Sequence, residues 1–159
     1  MILIKNTISI EAKLEAVFHF LADPEKLPNW NYYIQKVYKT SPGNDALGSR
    51  FRQIRKNDEQ IFEITKFHKN QLIEFTTISN SSVKFKRLLT FTELNERCVI
   101  EDNFELDTGH PIFLQRLLRH KIKKGIKENL MNLKQLLETG QAILQDGRVS
   151  SLDHNISDY

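Results

Sequence analysis

Residues 8–30 read ISIEAKLEAVFHFLADPEKLPNW, and the spacing of their apolar side chains changes after Ile10. Up to that point apolar and polar residues alternate, which predicts a half-buried strand over residues 2–10. Residues 11–22 repeat apolar side chains at helical spacing, and Asp23-Pro24 ends this helix because the residue before a proline avoids the helical region. Asp23 can then cap a second short helix that has Pro24 at its first position. The segment therefore predicts one strand followed by two short helices.

Six further strand-like segments follow, separated by turn sequences such as Asn57-Asp58 and Asn80-Ser81. Short connections favour the pairing of consecutive strands in an antiparallel meander. With the first strand, these segments predict a sheet of seven strands. The six segments span residues 33–40, 49–55, 60–67, 72–78, 83–92 and 97–106.

Residues 112–138 carry apolar side chains at helical spacing and predict one amphipathic helix, about 40 Å long. Gly140 lies just past its end, where a helix-stopping glycine belongs. The polar residues 141–159 predict a flexible C-terminal tail, although Ala142, Ile143 and Leu144 could extend the helix or dock against its end. The chain therefore divides into one domain, residues 1–140, and this tail.

The composition limits the classes of protein that the chain can represent. It has 159 residues and a net charge of +3, which favours one domain and is too weakly basic to indicate a nucleic-acid partner. The single cysteine, Cys98, excludes an internal disulfide and a multi-cysteine zinc site within one chain. No stretch approaches the ~20 apolar residues of a membrane span, and the N-terminus lacks the pattern of a secretory signal. A cytoplasmic location is therefore expected.

Sequence motifs of common enzyme classes are missing. The chain contains no GxxxxGK[ST], GxGxxG, HExxH or GxSxG pattern. The five histidines fall on different predicted elements, and no two share a face at metal-ligand spacing. We therefore expect no metal site and no cofactor, and Cys98, inside a predicted strand, is expected to be a small buried side chain.

The order of elements predicts an α+β architecture. A curved antiparallel sheet has to cover its apolar face, and the long last helix is the only predicted element large enough to do so. A sheet wrapped around a helix tends to leave a space between the two layers. That space is an expected site for a small ligand.

These segments resemble the START-related, pollen-allergen-like superfamily, which includes polyketide cyclases and lipid-transfer proteins. The resemblance covers residues 1–138 and is carried by the terminal helix and by three motifs, Ile8-x-Ile10-x-Ala12 with Val17-Phe18 and Leu21-Ala22-Asp23-Pro24, Pro28-x-Trp30, and Gly43…Gly48-x-x-Phe51. It implies the helix-grip fold, in which a seven-stranded curved antiparallel sheet wraps around a long C-terminal helix. The motifs are specific for the fold and say little about activity.

Two charged residues fall on the apolar face of adjacent predicted strands. Arg87 shares a face with Phe85 and Leu89, and Asp102 shares a face with Ile100. A two-residue turn at Leu94-Asn95 would place Arg87 directly opposite Asp102, and any register that keeps the apolar faces together leaves the charges within one pairing step. The two side chains could lie in water at the sheet end, form a buried ion pair, or contact a ligand.

The expected cavity combines these charges with aromatic and helical residues. Trp30 is either a core anchor or part of the cavity mouth, and Gly125 either makes room for a ligand or allows close packing of the helix on the sheet. The expected lining residues are Trp30, Tyr33, Phe51, Phe75, Phe85, Arg87, Leu89, Ile100, Asp102, Phe104, Phe113, Leu117, Leu118, Lys121 and Ile122.

A basic stripe follows the predicted last helix. Such a stripe can bind nucleic acid or an anionic membrane, but no aromatic residue interleaves it and Glu128 follows it, which favours a solvated outer face. We therefore expect no nucleic-acid partner. The stripe consists of Arg116, Arg119, His120, Lys123, Lys124 and Lys127.

Two functional hypotheses of different classes follow from these features. The first is a noncatalytic carrier or sensor of a small hydrophobic molecule such as a lipid, a quinone or a polyketide-like compound. The second is an aromatase or cyclase acting in the same cavity, with Arg87, Asp102 and Tyr33 as acid–base candidates. A protein-interaction module is a third possibility. The carrier is favoured because no His or Glu falls clearly inside the expected cavity, and a monomer or homodimer is expected.

Overall fold

The computed structural model describes residues 1–44 and 46–152. The elements in chain order are β1 (Ile2–Ile10), α1 (Leu14–Leu21), a 3-10 helix (Pro24–Asn29), β2 (Ile34–Lys39), β3 (Arg50–Arg55), β4 (Glu59–His68), β5 (Leu72–Thr77), β6 (Lys84–Leu94), β7 (Arg97–Asp107), α2 (Ile112–Thr139), β8 (Gln141–Ile143) and β9 (Val149–Ser151).

Strands β1 to β7 form one antiparallel sheet in the order β1-β7-β6-β5-β4-β3-β2. From β2 to β7 each strand pairs with its predecessor in the chain, as expected for a meander with short turns. Strand β1 then adds to the far side of β7, with Ile2 opposite Leu106 and Ile10 opposite Cys98. The predicted α+β fold, with seven strands, two short helices and one long helix, is confirmed.

The two short helices begin and end for the reasons that the sequence indicates. Helix α1 buries its apolar face, including Val17 and Phe18, in the main core. Asp23 caps the 3-10 helix, since its carboxylate accepts a hydrogen bond of 3.1 Å from the backbone N–H of Glu25. Pro24 opens that helix, at a position where a missing N–H is harmless. The turn ends at Trp30, which is buried.

Helix α2 has two halves of different character. Its C-terminal half packs into the core through Leu130, Leu133, Leu136 and Leu137. Gly140 ends the helix with φ of 80°, a left-handed conformation that glycine adopts without steric cost. The N-terminal half buries fewer apolar side chains and covers the cavity described below. No helix among the described residues has an apolar stretch long enough to cross a bilayer.

The expected flexible tail over residues 141–159 is wrong for residues 141–152. Strands β8 and β9 form a small hairpin directly after Gly140, with Ala142 opposite Ser150. Ala142 belongs to the main core, and Leu144 is buried as well. The burial of alternate apolar residues holds this segment against the domain, which therefore extends past residue 140. The rest of the expected tail, residues 153–159, lies outside the described residues.

The turn between β6 and β7 also differs from the expectation. The turn residues are Asn95-Glu96 and not Leu94-Asn95, because Leu94 pairs with Arg97. Asn95 and Glu96 have φ of 52° and 61°, the two positive values that the tight mirror-image hairpin turn requires. The register is therefore shifted from the expected one, and Arg87 lies opposite Phe104 instead of Asp102.

Candidate ligand-binding cavity

A cavity of about 470 Å³ lies between the sheet and the N-terminal half of α2. Its volume falls within the range of about 300–1,000 Å³ that is typical of small-molecule sites. Most of the wall is aromatic or aliphatic. The sheet contributes Phe62, Phe75, Phe85, Leu89, Phe104 and Leu106, and the helix contributes Leu118, Ile122, Gly125 and Ile126.

The Arg87 side chain is the charged group deepest in this wall. Its Nε and Nη2 donate to the two carboxylate oxygens of Asp102, each over 2.8 Å. Asp102 is fully buried and Arg87 is 9% exposed. The guanidinium carbon also lies 5.4 Å from the Trp30 ring centre and 5.5 Å from that of Phe104, so aromatic rings flank the cation. The structure thus shows the buried ion pair and excludes the alternative in which both charges lie in water at the sheet end.

One nitrogen of Arg87 is left over for a further partner. The bidentate pair uses Nε and Nη2, whereas Nη1 makes no hydrogen bond within the described residues and is not among their enclosed, unpaired polar atoms. Arg87 lines the cavity. Its Nη1 can therefore donate to an acceptor inside the cavity while Asp102 balances the positive charge.

Tyr33 closes against α2 at the edge of the cavity. A Cβ atom placed on Gly125 would lie 2.7 Å from the Tyr33 hydroxyl oxygen, so the phenol ring packs against the helix at a point where only glycine leaves room for it. Gly125 lines the cavity and packs closely, but its packing partner is Tyr33 and not the sheet. Burial, followed by a hydrogen bond with Tyr32, raises the pKa of Tyr33 to about 12. Near neutral pH this hydroxyl keeps its proton and can donate a hydrogen bond.

An amide pair fixes the Tyr33 loop to the helix. Asn129 of α2 donates from Nδ2 to Oδ1 of Asn31 over 2.9 Å, and the same Asn31 oxygen accepts the backbone N–H of Tyr33 over 3.2 Å. Both asparagines line the cavity. The motif search did not single them out, but Asn129 follows Gly125 and Ile122 at helical spacing, which is a signal for the same helix face.

A second polar patch comes from β3 and β4. Gln53 lines the cavity and donates to Oε1 of buried Gln60 over 3.5 Å, and Gln60 donates onward to the carbonyl of Val83 over 2.6 Å. Arg55, Lys56, Asn57 and Asp58 line the opening beside it. Sequence reasoning missed Gln53, although strand alternation places it on the same face as buried Phe51.

Ten of the fifteen expected lining residues line the observed cavity, and five do not. Phe51 and Ile100 are fully buried in the core, and Asp102 lies behind Arg87. Phe113 and Leu117 are 65% and 74% exposed, so the expectation that they face the cavity is wrong. Successive helix residues turn by about 100°, which puts Leu118 on the cavity side and Leu117 outside. The ten are Trp30, Tyr33, Phe75, Phe85, Arg87, Leu89, Phe104, Leu118, Lys121 and Ile122.

The lining offers hydrogen-bond donors and few groups that could exchange protons near neutral pH. Its one carboxylate among the described residues, Asp58, accepts two hydrogen bonds from Arg55. Cys98 lies in the core, and burial raises the pKa of its thiol to about 12. Over residues 1–44 and 46–152, no three His, Cys, Asp or Glu side chains are grouped closely enough to hold a metal ion.

Comparisons with known proteins agree with this architecture. A family model described as polyketide cyclase / dehydrase and lipid transport matches residues 1–138. No curated protein matches the sequence.

Several solved structures share the fold. A START superfamily protein from Mycobacterium smegmatis has a TM-score of 0.70 at 16% identity, covering 86% of this chain and 99% of its own. For a Thermus thermophilus protein, TTHA0849, the TM-score is 0.69 at 16% identity, with coverage of 84% and 94%. For the Aha1 dimer from Colwellia psychrerythraea it is 0.66 at 18% identity, with coverage of 88% and 98%. At these identities the likeness concerns the fold alone, and it confirms the helix-grip arrangement.

Proposed function

The chain belongs to the polyketide cyclase/dehydrase and lipid transport family, and from this premise we propose that it binds and carries a small hydrophobic molecule between the sheet and α2. The observation that supports this most directly is the cavity itself, about 470 Å³ with a largely aromatic and aliphatic wall. Transfer of an apolar ligand from water into such a space is favourable in proportion to the area that it buries. A cytoplasmic location and a monomeric or homodimeric state remain predictions.

The polar groups of the cavity wall limit which functional groups the ligand can carry. Arg87 is already neutralised by Asp102, so its free Nη1 suits an uncharged oxygen acceptor such as a quinone, ketone or ester carbonyl. An anionic group at this depth would lack a net counter-charge and would lose its hydration. Lys121 lines the cavity where α2 is exposed and makes no ion pair with the described residues, so an anionic end group would fit there. We therefore propose a mostly apolar ligand that carries a neutral carbonyl.

A cyclase or aromatase acting in the same cavity is the second candidate. It is supported by the presence of both Arg87 and Tyr33 in the lining, where each can donate a hydrogen bond to a carbonyl oxygen. Asp102 fits the role of base poorly, because both of its oxygens are held by Arg87 and it does not line the cavity. Tyr33, with a pKa of about 12, is protonated near neutral pH and fits a donor better than a base.

Native mass spectrometry of the purified protein, followed by denaturing extraction, tests the carrier proposal. We expect a co-purifying neutral lipid, quinone or polyketide-like molecule, and we expect the emptied protein to bind a carbonyl-bearing hydrophobic probe in the micromolar range. An Arg87→Met variant that circular dichroism shows to be folded should bind that probe more weakly than the unaltered protein does, and should bind a hydrocarbon probe of equal size as well as the unaltered protein does. Failure of the emptied protein to bind any hydrophobic probe would refute the proposal, and chemical conversion of the bound compound would favour the cyclase.

A further inference from the structure

The first two turns of α2 expose large apolar side chains to solvent. Ile112, Phe113 and Leu117 are 75%, 65% and 74% exposed. Phe113 and Leu117 are four residues apart and therefore lie on the same side of the helix, opposite the cavity-lining Ile122. Exposed large side chains scattered singly are ordinary, whereas three in the first two turns of one helix mark a surface that can contact a partner.

The same part of the helix is strongly basic. Residues 112–127 include six Lys and Arg residues and no Asp or Glu. Lys124 approaches Glu128 at 3.8 Å, and Arg119 donates to the backbone carbonyl of Leu3. The others make no ion pair within the described part of the chain. We call the exposed side chains of this stretch, apart from Arg119 and the cavity-lining Lys121, the outer face of α2, which comprises Ile112, Phe113, Arg116, Leu117, His120, Lys123, Lys124 and Lys127.

We propose that the outer face of α2 docks onto an anionic lipid bilayer. A helix lying in the membrane interface places Phe and Leu side chains at the boundary of headgroups and acyl chains, while Lys and Arg pair with anionic headgroups. Exposed Phe113 and Leu117 provide the first element, and cations of which only Lys124 has an ion-pair partner in the described part of the chain provide the second. Their charge is complementary to a bilayer that contains phosphatidylserine. Phe113 lies one helical turn before Arg116, so an exposed aromatic side chain borders the stripe although none interleaves it.

Charge argues against two other occupants of this surface. A two-fold dimer through the outer face would set its cations against the identical cations of the second copy, with no carboxylate in residues 112–127 to compensate. A nucleic acid would match the cations but would leave Ile112 and Leu117 without an apolar partner. A bilayer satisfies the charged and the apolar side chains together.

Docking in this orientation would leave only the thickness of α2, about 10–12 Å, between the cavity and the membrane, and this part of the inference rests on the proposed function. Leu118 and Lys121 line the cavity and belong to the same helical turns as Leu117 and Lys124. A hydrophobic ligand could then pass between the bilayer and the cavity over a short distance. The docking itself needs no ligand and is tested separately.

Co-sedimentation of the full chain with vesicles tests the docking. We expect binding to phosphatidylcholine–phosphatidylserine vesicles that weakens with salt, and little binding to phosphatidylcholine alone. Phe113→Ser with Leu117→Ser should weaken binding about tenfold or more, and so should Lys123→Gln with Lys124→Gln and Lys127→Gln. The matched controls change equally exposed residues elsewhere, Leu47→Ser with Leu94→Ser and Lys5→Gln with Lys69→Gln and Lys84→Gln, and should bind like the unaltered protein.

The docking proposal is overturned if the unaltered protein does not bind the anionic vesicles, or if the control variants lose as much binding as the outer-face variants. It is also overturned if sedimentation velocity without lipid shows a dimer that Phe113→Ser with Leu117→Ser dissociates. Tighter binding to a single-stranded RNA than to the vesicles, lost in the same variants, would have the same consequence. A Leu118→Trp variant that loses probe binding should still dock, which separates failure of the docking from failure of the proposed function.

Discussion

Arg87 and Asp102 form their ion pair diagonally across β6 and β7, because Arg87 lies opposite Phe104 and Asp102 lies opposite Leu89. Inward-pointing side chains two residues apart on neighbouring strands are still within reach of a long arginine. The diagonal geometry lets the guanidinium meet both carboxylate oxygens at 2.8 Å while it lies between Trp30 and Phe104. One residue pair thus joins two strands, the Trp30 turn and the cavity wall.

Removal of one partner of this pair should destabilise the fold strongly. Arg87→Ala leaves a buried carboxylate without a counter-charge and should lower the free energy of unfolding by about 3–5 kcal/mol in urea denaturation. Asp102→Asn should cost less, because the amide oxygen still accepts a hydrogen bond. The control Arg52→Ala removes a solvent-exposed pair with Glu59 and should change the free energy of unfolding far less than Arg87→Ala does. Equal effects of Arg87→Ala and Arg52→Ala would contradict the buried pair.

Two adjacent leucines of α2 provide a matched test of the cavity. Leu118→Trp should fill the space and abolish fluorescence enhancement of a hydrophobic probe such as N-phenylnaphthylamine, since Leu118 lines the cavity. Leu117→Trp adds the same bulk to a side chain that faces solvent and should leave probe affinity unchanged. Both variants should be checked for native circular dichroism. Unchanged affinity in a folded Leu118→Trp protein would place the ligand elsewhere.

Gly125→Ala should move Tyr33 without unfolding the protein. The new methyl group would overlap the Tyr33 hydroxyl, which is the far end of a side chain that can rotate away. Alanine improves helix propensity by about 1 kcal/mol, so stability should change little. The displaced phenol should be better hydrated, and its pKa should fall from about 12 toward the ordinary value. A pH titration of ¹³C-labelled tyrosines, in which Tyr33→Phe identifies the Tyr33 signal, measures this shift. A pKa that stays near 12 would contradict the packing of Tyr33 against Gly125.

The hairpin after α2 should contribute to stability. Leu144 is 2% exposed whereas its neighbour Ile143 is 63% exposed. Leu144→Ala should therefore cost about 2–5 kcal/mol, and Ile143→Ala should cost almost nothing. Thermal and urea unfolding of the two variants compare the positions directly. Similar small effects for both would mean that this segment behaves as the flexible tail that its composition suggests.

Cys98 should make stability fall at alkaline pH. Burial raises the pKa of its thiol to about 12, with smaller effects of Glu15 and Glu93, whereas an unfolded thiol has a pKa of about 8.5. From about pH 8.5 upward the unfolded state loses this proton and the native state keeps it, so the free energy of unfolding decreases as pH rises, by up to about 1.4 kcal/mol per pH unit.

Urea denaturation from about pH 7 to pH 10 of the unaltered protein and of Cys98→Ala measures this contribution, and the variant should show the shallower decline. Ellman's reagent should react with the unaltered protein only after unfolding. Rapid labelling of the native thiol would contradict its burial.

Much of the fold could be predicted because local signals agreed with one another. Alternation on β1, the Asp23-Pro24 cap and Gly140 each have a short-range physical cause, and the short turns left a meander as the simplest pairing. The hairpin at residues 141–152 was not predicted as such, because its apolar residues are scattered and the burial of Ala142 and Leu144 depends on the core beside them. The turn at Asn95-Glu96 was missed because Glu is an unusual residue at a positive φ.

The cavity was predicted better from the strands than from the helix. An alternating strand has two faces, so Phe75, Phe85, Arg87, Leu89 and Phe104 could be assigned to the inner one. A helix presents a continuous range of directions, and apolar Phe113 and Leu117 look like core residues when burial is judged by residue type alone. Polar lining residues such as Gln53 and Asn129 were missed because amide side chains look like surface residues when burial is judged by residue type. Their hydrogen bonds depend on residues far away in the chain, which the sequence alone does not identify.

The pairing of β1 with β7 has a consequence for synthesis on the ribosome. Ile10 lies opposite Cys98 and Ile2 lies opposite Leu106, so β1 pairs, among the described residues, only with a strand that is made after β2 to β6. At about 5–20 residues per second, β1 waits roughly 5–20 s with its row of isoleucines unpaired, while β2 to β6 can already form neighbouring hairpins. Such distant pairings slow folding and expose a strand edge in the nascent chain. We expect correct folding to depend on β1 staying out of aggregates until β7 has been synthesised.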